Sequence, residues 1–300
     1  MKSDFLHRRC LLLTLAVPAP ARSGLFAGRT DEQFRAWIRQ FPELGLLTEL
    51  VPKVIAPAQH IPGPESWQQV VAVITAHQAD IDGVVLFHEP SQVVPAAVVL
   101  DLLLHSFEIP IVITTAGAAP TADSWRTNLV IALQTVASHL PGVSVLDGNR
   151  IVRGSDALVS AGNLVGSSAA KFDFGLRRAA QAKRASWSKP EFELERQMRI
   201  WTYVPGLMLP AQLPSQAILL QVPSAAAEDW ERLSRWAASI PAGSHVICQS
   251  PQAPPKKVLS RWGWLRDSNE QVVIGQAMWA FGQGSRWKEA ATFARERRTV

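Results

Sequence analysis

The chain has 300 residues, of which 47% are hydrophobic, and its 30 basic and 25 acidic residues give a formal net charge of +5. So apolar a composition excludes an intrinsically disordered protein, and the length allows one or two domains with a substantial core. The small basic excess falls in short separate clusters, which favours solvated helix ends over a nucleic-acid groove.

The amino terminus contains an apolar run from Cys10 to Val17, directly after two arginines. The run is too short to span a bilayer, but it suits either a buried first strand or a signal peptide over residues 1–22. Thr30 and Gln33 then have the spacing of a capping box, which predicts the start of a helix. Because strand, loop and helix open a doubly wound domain, we favour the strand and a cytoplasmic protein, with export as the alternative.

Strands and helices continue to alternate up to residue 146. Apolar runs predict strands at 51–55, 84–87, 109–114 and 143–146. Helical spacing predicts helices that start at Pro64 and Asp123, and another over 96–107. This alternation predicts an α/β fold with a mainly parallel, doubly wound sheet.

The pattern weakens in a polar stretch that predicts an interdomain linker. We therefore expect an amino-terminal α/β domain over 1–182, a linker over 183–200 and a smaller α/β domain over 201–300. In the smaller domain the runs at 217–222, 244–249 and 272–274 predict strands. Helices are predicted around Trp230 and, capped by Ser285, around Trp287.

Cysteine and histidine usage limits the chemistry. Cys10 and Cys248 are the only cysteines, too few for a disulfide framework and compatible with a reducing compartment. The seven histidines form no HxH or HxxxH pair, and both the GxGxxG loop and the P-loop are absent. We therefore predict no metal and no cofactor.

The strand at 84–87 leads into His88-Glu89-Pro90-Ser91-Gln92. Open α/β sheets bind ligands at the carboxyl ends of their strands, so this loop is the first place to look for a site. Candidate residues for binding a substrate or ligand are Gln59, Glu89, Ser91 and Thr115.

Several segments, in order, resemble the L-asparaginase/glutaminase family that uses threonine nucleophiles. The run Leu11 to Val17 lies where the family has its TGGT loop, and Pro42-Glu43-Leu44 resembles its PEL segment. The stretch from Asp82 to Gln92 resembles DGxVxxHGTDT. Two later stretches resemble PVVxTGA and SDxxxNL, at 110–118 and 122–129. The resemblance covers about residues 1–175 and is weak beyond them.

This resemblance implies a larger and a smaller α/β domain, a homo-oligomer, and hydrolysis of a side-chain amide. In the family a threonine hydroxyl attacks the amide, while a second threonine, an aspartate and a lysine support the proton transfers. The matching positions here are Val17, Pro90, Ser91 and Val159. Proline has neither a hydroxyl nor a backbone N–H. Replacement of every member of a catalytic unit leaves little catalysis.

Other residues could stand in for the missing groups. The hydroxyls of Thr14 and Ser91 are possible nucleophiles, and His88 or Asp156 could act as a base. Such a pair must lie within hydrogen-bond reach in one cleft. Our leading hypothesis is a catalytically inactive asparaginase-like protein with a binding or assembly role, for example for a small polar metabolite. The alternatives are an active amidohydrolase with a displaced nucleophile and a relic without a selected function.

One basic–aromatic cluster stands out near the carboxyl terminus. Trp262 and Trp264 lie beside Lys256, Lys257 and Arg261. An interface or a packed hairpin is favoured over a groove for nucleic acid or peptide. We therefore predict neither a nucleic-acid nor a membrane partner.

Overall fold

The computed structural model divides the chain into two compact units, Met1–Pro190 and Glu191–Val300. The structure describes residues 8–15, 30–55, 63–88, 92–105, 107, 109–115, 122–138, 141–148, 150–154, 157–160, 163–165, 194, 197–205, 216–223, 225–241, 243–266 and 269–296. Of residues 122–124, 158–160 and 163–165 only the backbone is described. Each unit has its own sheet.

The first unit is built on a six-stranded sheet with the order β2-β1-β3-β4-β5-β6. Its strands are β1 (Arg9–Leu15), β2 (Glu49–Ile55), β3 (Gly83–Phe87), β4 (Pro110–Thr114), β5 (Gly142–Asp147) and β6 (Arg150–Arg153). The first five strands pair in parallel, and β6 adds an antiparallel edge. A short antiparallel pair follows, β7 (Leu158–Ser160) and β8 (Asn163–Val165). The predicted parallel α/β sheet is confirmed, whereas β6, β7 and β8 were not predicted.

The apolar run near the amino terminus forms β1, which lies between β2 and β3. Cys10 to Leu15 are buried, so the predicted first strand is confirmed. The rest of the alternative signal peptide, residues 1–7 and 16–22, lies outside the described part of the chain. Of the helices that are described, none is long and apolar enough to cross a membrane.

Five helices accompany this sheet: α1 (Asp31–Ile38), α2 (Pro42–Gly45), α3 (Pro64–His77), α4 (Val93–Leu103) and α5 (Ala122–Ala137). The predicted capping box at α1 is confirmed. The Gln33 N–H donates to Thr30 Oγ1 at 3.2 Å, and the Thr30 N–H donates to Gln33 Oε1 at 3.3 Å. Helix α5 already includes Asp123 as its second residue, so Asp123 is not the predicted cap.

Side chains of the sheet alternate between two helical layers, as the two-residue period of a strand requires. On one face, Cys10, Leu12, Val85, Val112 and Leu146 pack in one buried cluster with residues of α1, α2 and α5. Leu11, Leu13, Leu86 and Ile113 are buried on the other face, where α3 contacts β1 and α4 contacts β4 and β5. Both faces are therefore covered, which explains the nearly continuous apolar strands.

The second unit contains a four-stranded parallel sheet with the order β12-β11-β10-β9. The strands are β9 (Arg199–Thr202), β10 (Ala217–Gln221), β11 (His245–Gln249) and β12 (Gly263–Leu265). The helices are α6 (Ala227–Ser239), α7 (Lys256–Leu259), α8 (Glu270–Gly282) and α9 (Trp287–Glu296). Its core includes Ile218, Leu220, Leu233, Trp236 and Trp262. The predicted smaller α/β unit is thus present.

Three predictions for the second half were wrong in detail. Residues 272–274 lie in α8 and not in a strand, because a short buried apolar run has the same appearance in either element. Ser285 lies in a single 3-10 turn, Gly284–Arg286, before α9. Arg199 and Ile200, placed in the linker over 183–200, begin β9. Most of that linker lies outside the described residues, so its boundaries stay a prediction.

Gly83 permits the close approach of α5 to the start of β3. A Cβ atom there would overlap Val136 Cγ1 and would lie 3.0 Å from Pro110 Cγ. We expect Gly83→Ala to lower the free energy of unfolding by about 1–3 kcal/mol, because the neighbours must shift. Denaturant titration measures this loss.

Gly45 supplies the matched control, since a Cβ there meets nothing within 4 Å. Gly45→Ala should leave the stability unchanged or slightly raise it. Equal losses from the two substitutions would contradict the packing argument.

Candidate functional site

The carboxyl ends of β1, β3 and β4 bring three of the candidate residues to one edge of the first sheet. Thr14 lies near the end of β1, and His88 and Thr115 directly follow β3 and β4. The side chains of these three residues are buried. Val159 lies in β7, where only the backbone is described. The other candidates, Val17, Gln59, Glu89, Pro90, Ser91 and Asp156, lie outside the described residues.

Two hydrogen bonds hold His88, one at its backbone and one at its ring. Its backbone N–H donates to the Thr114 carbonyl at 2.9 Å, which extends the pairing of β3 with β4 by one residue. The Trp67 indole N–H of α3 donates to His88 Nε2 at 3.2 Å, and both side chains are buried. A nitrogen that accepts a hydrogen bond carries no proton, so the proton of the neutral ring lies on Nδ1.

The indole partner was not predicted. Helical spacing marks Trp67 as a core residue of α3, and it is buried as expected. An apolar face, however, does not reveal which polar atom an indole N–H will reach. The signal that was available is the general tendency of a buried tryptophan N–H to find an acceptor.

A second polar contact fixes the end of β4. The Asn128 side-chain amide of α5 donates to the Thr115 carbonyl at 2.7 Å, and both residues are buried. A buried amide bonded to a strand-end carbonyl holds that strand end against the helix. Asn128 belongs to the segment that resembles SDxxxNL, but its hydrogen-bond partner could not be read from the sequence.

Thr14 and His88 point to opposite faces of the sheet. Thr14 is paired in register with Phe87, and Phe87 packs against the cluster that includes α1 and α5. His88 is the next residue, and its ring meets Trp67 on α3. Because successive side chains of a strand alternate, the sheet itself separates the Thr14 hydroxyl from the imidazole. The structure therefore does not bring these two residues together as a nucleophile–base pair.

The two cysteine thiols are unsuited to nucleophilic catalysis. Burial raises the pKa of the Cys10 and Cys248 thiols to about 12, so neither forms a thiolate near neutral pH. In the same part of the chain no group of three or more His, Cys, Asp or Glu side chains could hold a metal ion.

Comparisons with known proteins find asparaginases similar to this chain. A family model described as "Asparaginase, N-terminal" matches residues 30–164. L-asparaginase 1 of Escherichia coli strain K12 is 30% identical over 96 residues, which are 31% of this chain and 28% of that protein. The match thus spans less than a third of the curated relative. The amino-terminal part of this chain is therefore similar to the asparaginase family.

Solved structures extend the likeness to the whole fold. L-asparaginase I from Vibrio cholerae superposes with a TM-score of 0.68 at 16% identity, over 98% of this chain and 100% of that chain. The thermostable L-asparaginase from Thermococcus kodakarensis gives 0.62 at 16% identity, over 95% and 96% of the two chains. The probable cytoplasmic L-asparaginase from Campylobacter jejuni gives 0.63 at 14% identity, over 96% and 99%. At such identities the likeness establishes the asparaginase fold alone.

The contact between Trp67 and His88 is testable by removing the indole N–H. We expect Trp67→Phe to lower the free energy of unfolding by about 1–3 kcal/mol, since the buried Nε2 atom loses its donor. Denaturant titration checks the stability. In ¹⁵N NMR the wild-type His88 ring should show its proton on Nδ1.

Trp230→Phe serves as the control, because this partly buried indole has no hydrogen-bond acceptor among the described residues. It should cost less than Trp67→Phe. A wild-type His88 ring protonated on Nε2 would contradict the assigned hydrogen bond.

Proposed function

We propose that this protein keeps the asparaginase fold without amidohydrolase catalysis and acts through binding or assembly. The observation that carries the proposal is the separation of Thr14 and His88 on opposite faces of the sheet. A threonine hydroxyl is a weak nucleophile unless a neighbouring base removes its proton. A nucleophile and a base that lie on opposite faces of a sheet cannot perform this step.

The state of His88 points the same way. Its Nε2 atom accepts the Trp67 N–H at 3.2 Å, so this nitrogen is already used in the fold. To act as a base through Nε2, the ring would have to give up a buried hydrogen bond. The sequence adds that Val17, Pro90 and Val159 stand where the family has two threonines and a lysine, and Ser91 where it has an aspartate.

The binding role rests on the edge where β3 and β4 end. Thr115 is anchored there through its carbonyl, and Gln59, Glu89 and Ser91 would complete a polar surface for a small metabolite with amide or carboxylate groups. In this proposal the protein is a cytoplasmic homo-oligomer with no nucleic-acid partner. It consists of domains 1–182 and 201–300 joined by the linker 183–200.

The second candidate function is amide hydrolysis with a displaced nucleophile. It is favoured by the similarity of the amino-terminal part to the asparaginase family and by Ser91, three residues after His88. A Ser91 hydroxyl paired with Asp156 or with the other ring nitrogen of His88 would be needed. Thr14 is a weak candidate because its hydroxyl faces the layer of α1 and α5.

Ammonia release from L-asparagine and L-glutamine tests catalysis directly. We expect none from the purified protein, because Thr14 and His88 lie on opposite faces of the sheet. Escherichia coli L-asparaginase 1 serves as the active control. Turnover that a Thr14→Ala/Ser91→Ala double variant loses would refute the proposal and would identify a rebuilt nucleophile.

Binding needs a separate measurement. We expect L-asparagine or L-aspartate to raise the unfolding temperature of the wild-type protein, since a ligand that binds only the folded state stabilises it. Ser91→Ala and Thr115→Val should weaken this effect. A folded protein that binds neither amino acid and sediments as a monomer would remove the support for binding and assembly.

A further inference from the structure

The positive charge of this protein is concentrated near its carboxyl end. Residues 256–298 contain nine lysines and arginines but only four acidic residues. Their net charge of +5 equals that of the whole chain. The rest of the chain has 21 residues of each sign and is therefore neutral. The charge is thus a feature of one part of the second unit and not of the entire surface.

Two cations of this part are each anchored to a backbone carbonyl. Lys288 Nζ, at the start of α9, donates to the Ser260 carbonyl at 2.9 Å, and Arg261 is the residue that follows Ser260. Arg261 Nη1 donates to the Ala237 carbonyl in the last turn of α6 at 3.3 Å. Each side chain is thereby anchored to the backbone through a hydrogen bond, while a lysine has three donors and an arginine five.

These two cations lack a counter-ion in the part of the chain that the structure describes. Arg286 pairs with Glu289 at 3.1 Å and Arg295 approaches Glu296 at 3.9 Å, whereas neither Arg261 nor Lys288 forms an ion pair there. Burial, and then the charge of the Arg261 guanidinium, lowers the pKa of the Lys288 ammonium. The two positive groups therefore repel each other, and an anion between them would relieve this repulsion.

We propose that Arg261 and Lys288 form a binding site for a phosphate group. A guanidinium offers a planar fork of donors to phosphate oxygens, and an ammonium adds a compact point charge. Together they supply two positive charges on side chains whose positions the Ser260 and Ala237 carbonyls already fix. This arrangement matches a dianion better than a monocarboxylate.

The neighbouring tryptophans favour a single phosphate group over a nucleic acid. Trp262 is buried in the core of the second unit, only 4% exposed. The Trp264 ring is covered by the Arg295 guanidinium at 4.6 Å, and its N–H donates to the Ser250 carbonyl at 3.1 Å. Trp262 therefore has no open face on which a base could stack, and Arg295 occupies one face of Trp264. The packing expected for these tryptophans is present, although β11 and β12 pair in parallel and form no hairpin.

Calorimetric titration of the full chain with inorganic phosphate at constant ionic strength tests the proposal. We expect the wild-type protein and Lys288→Arg to bind phosphate. Arg261→Gln and Lys288→Gln should each bind phosphate about ten-fold more weakly, because each loses one charge-assisted hydrogen bond. Arg286→Gln is the matched control. This arginine is exposed and already paired with Glu289, so its replacement should leave the affinity unchanged.

A second readout does not depend on how well the variants fold. Acetylation of Lys288 in the wild-type protein, followed by mass spectrometry, should be slowed by phosphate, while that of the exposed Lys256 should not.

Competition by glycerol 3-phosphate distinguishes the source of the phosphate group. A monoester that binds at least as tightly as inorganic phosphate identifies a phosphorylated metabolite, and a weaker one identifies free phosphate.

Three results would overturn the proposal. The first is the absence of phosphate binding by the wild-type protein. The second is equal binding by wild type, Arg261→Gln and Lys288→Gln, which would indicate a non-specific ionic effect. The third is binding of a single-stranded oligonucleotide in preference to phosphate with the same two variants defective, which would assign the surface to nucleic acid.

Discussion

The register of the parallel sheet is the constraint on which the chemistry of this molecule depends. Once β1 is paired with β3, Thr14 lies beside Phe87, and every side chain is committed to one of two helical layers. A shift of one residue would move every side chain of the strand to the opposite face of the sheet. That face is also buried by helices. The same register that fills the core therefore also places the hydroxyl of Thr14 away from the ring of His88.

Buried polar contacts complete the edge where a ligand would bind. The indole of Trp67 holds His88, and the amide of Asn128 holds the carbonyl of Thr115. Buried groups of this kind are costly to leave without partners, so each contact fixes a strand end more firmly than apolar packing alone would. In this protein these two contacts hold the ends of β3 and β4 in place.

The surface of the second unit is marked by positive charge near its carboxyl end. Its sheet and helices bury an apolar core, and Lys288 and Arg261 are anchored on backbone carbonyls at its periphery. Their mutual repulsion is a local cost that an oxyanion would offset. The first unit, residues 1–190, contains 17 basic and 15 acidic residues, a formal net charge of +2, whereas residues 256–298 alone carry +5.

The sequence by itself determined the α/β class, the capping box at Thr30, and the buried faces of β1 and α3. These features depend on local periodicity and on residue chemistry, which the chain carries in its order. Only the tertiary structure decided that 272–274 is helical, that Trp67 donates to His88, and that Lys288 donates to the Ser260 carbonyl beside Arg261. Each of these depends on which distant segments pack together, since a short apolar run fits either element and an indole N–H or an ammonium takes whichever acceptor the fold presents.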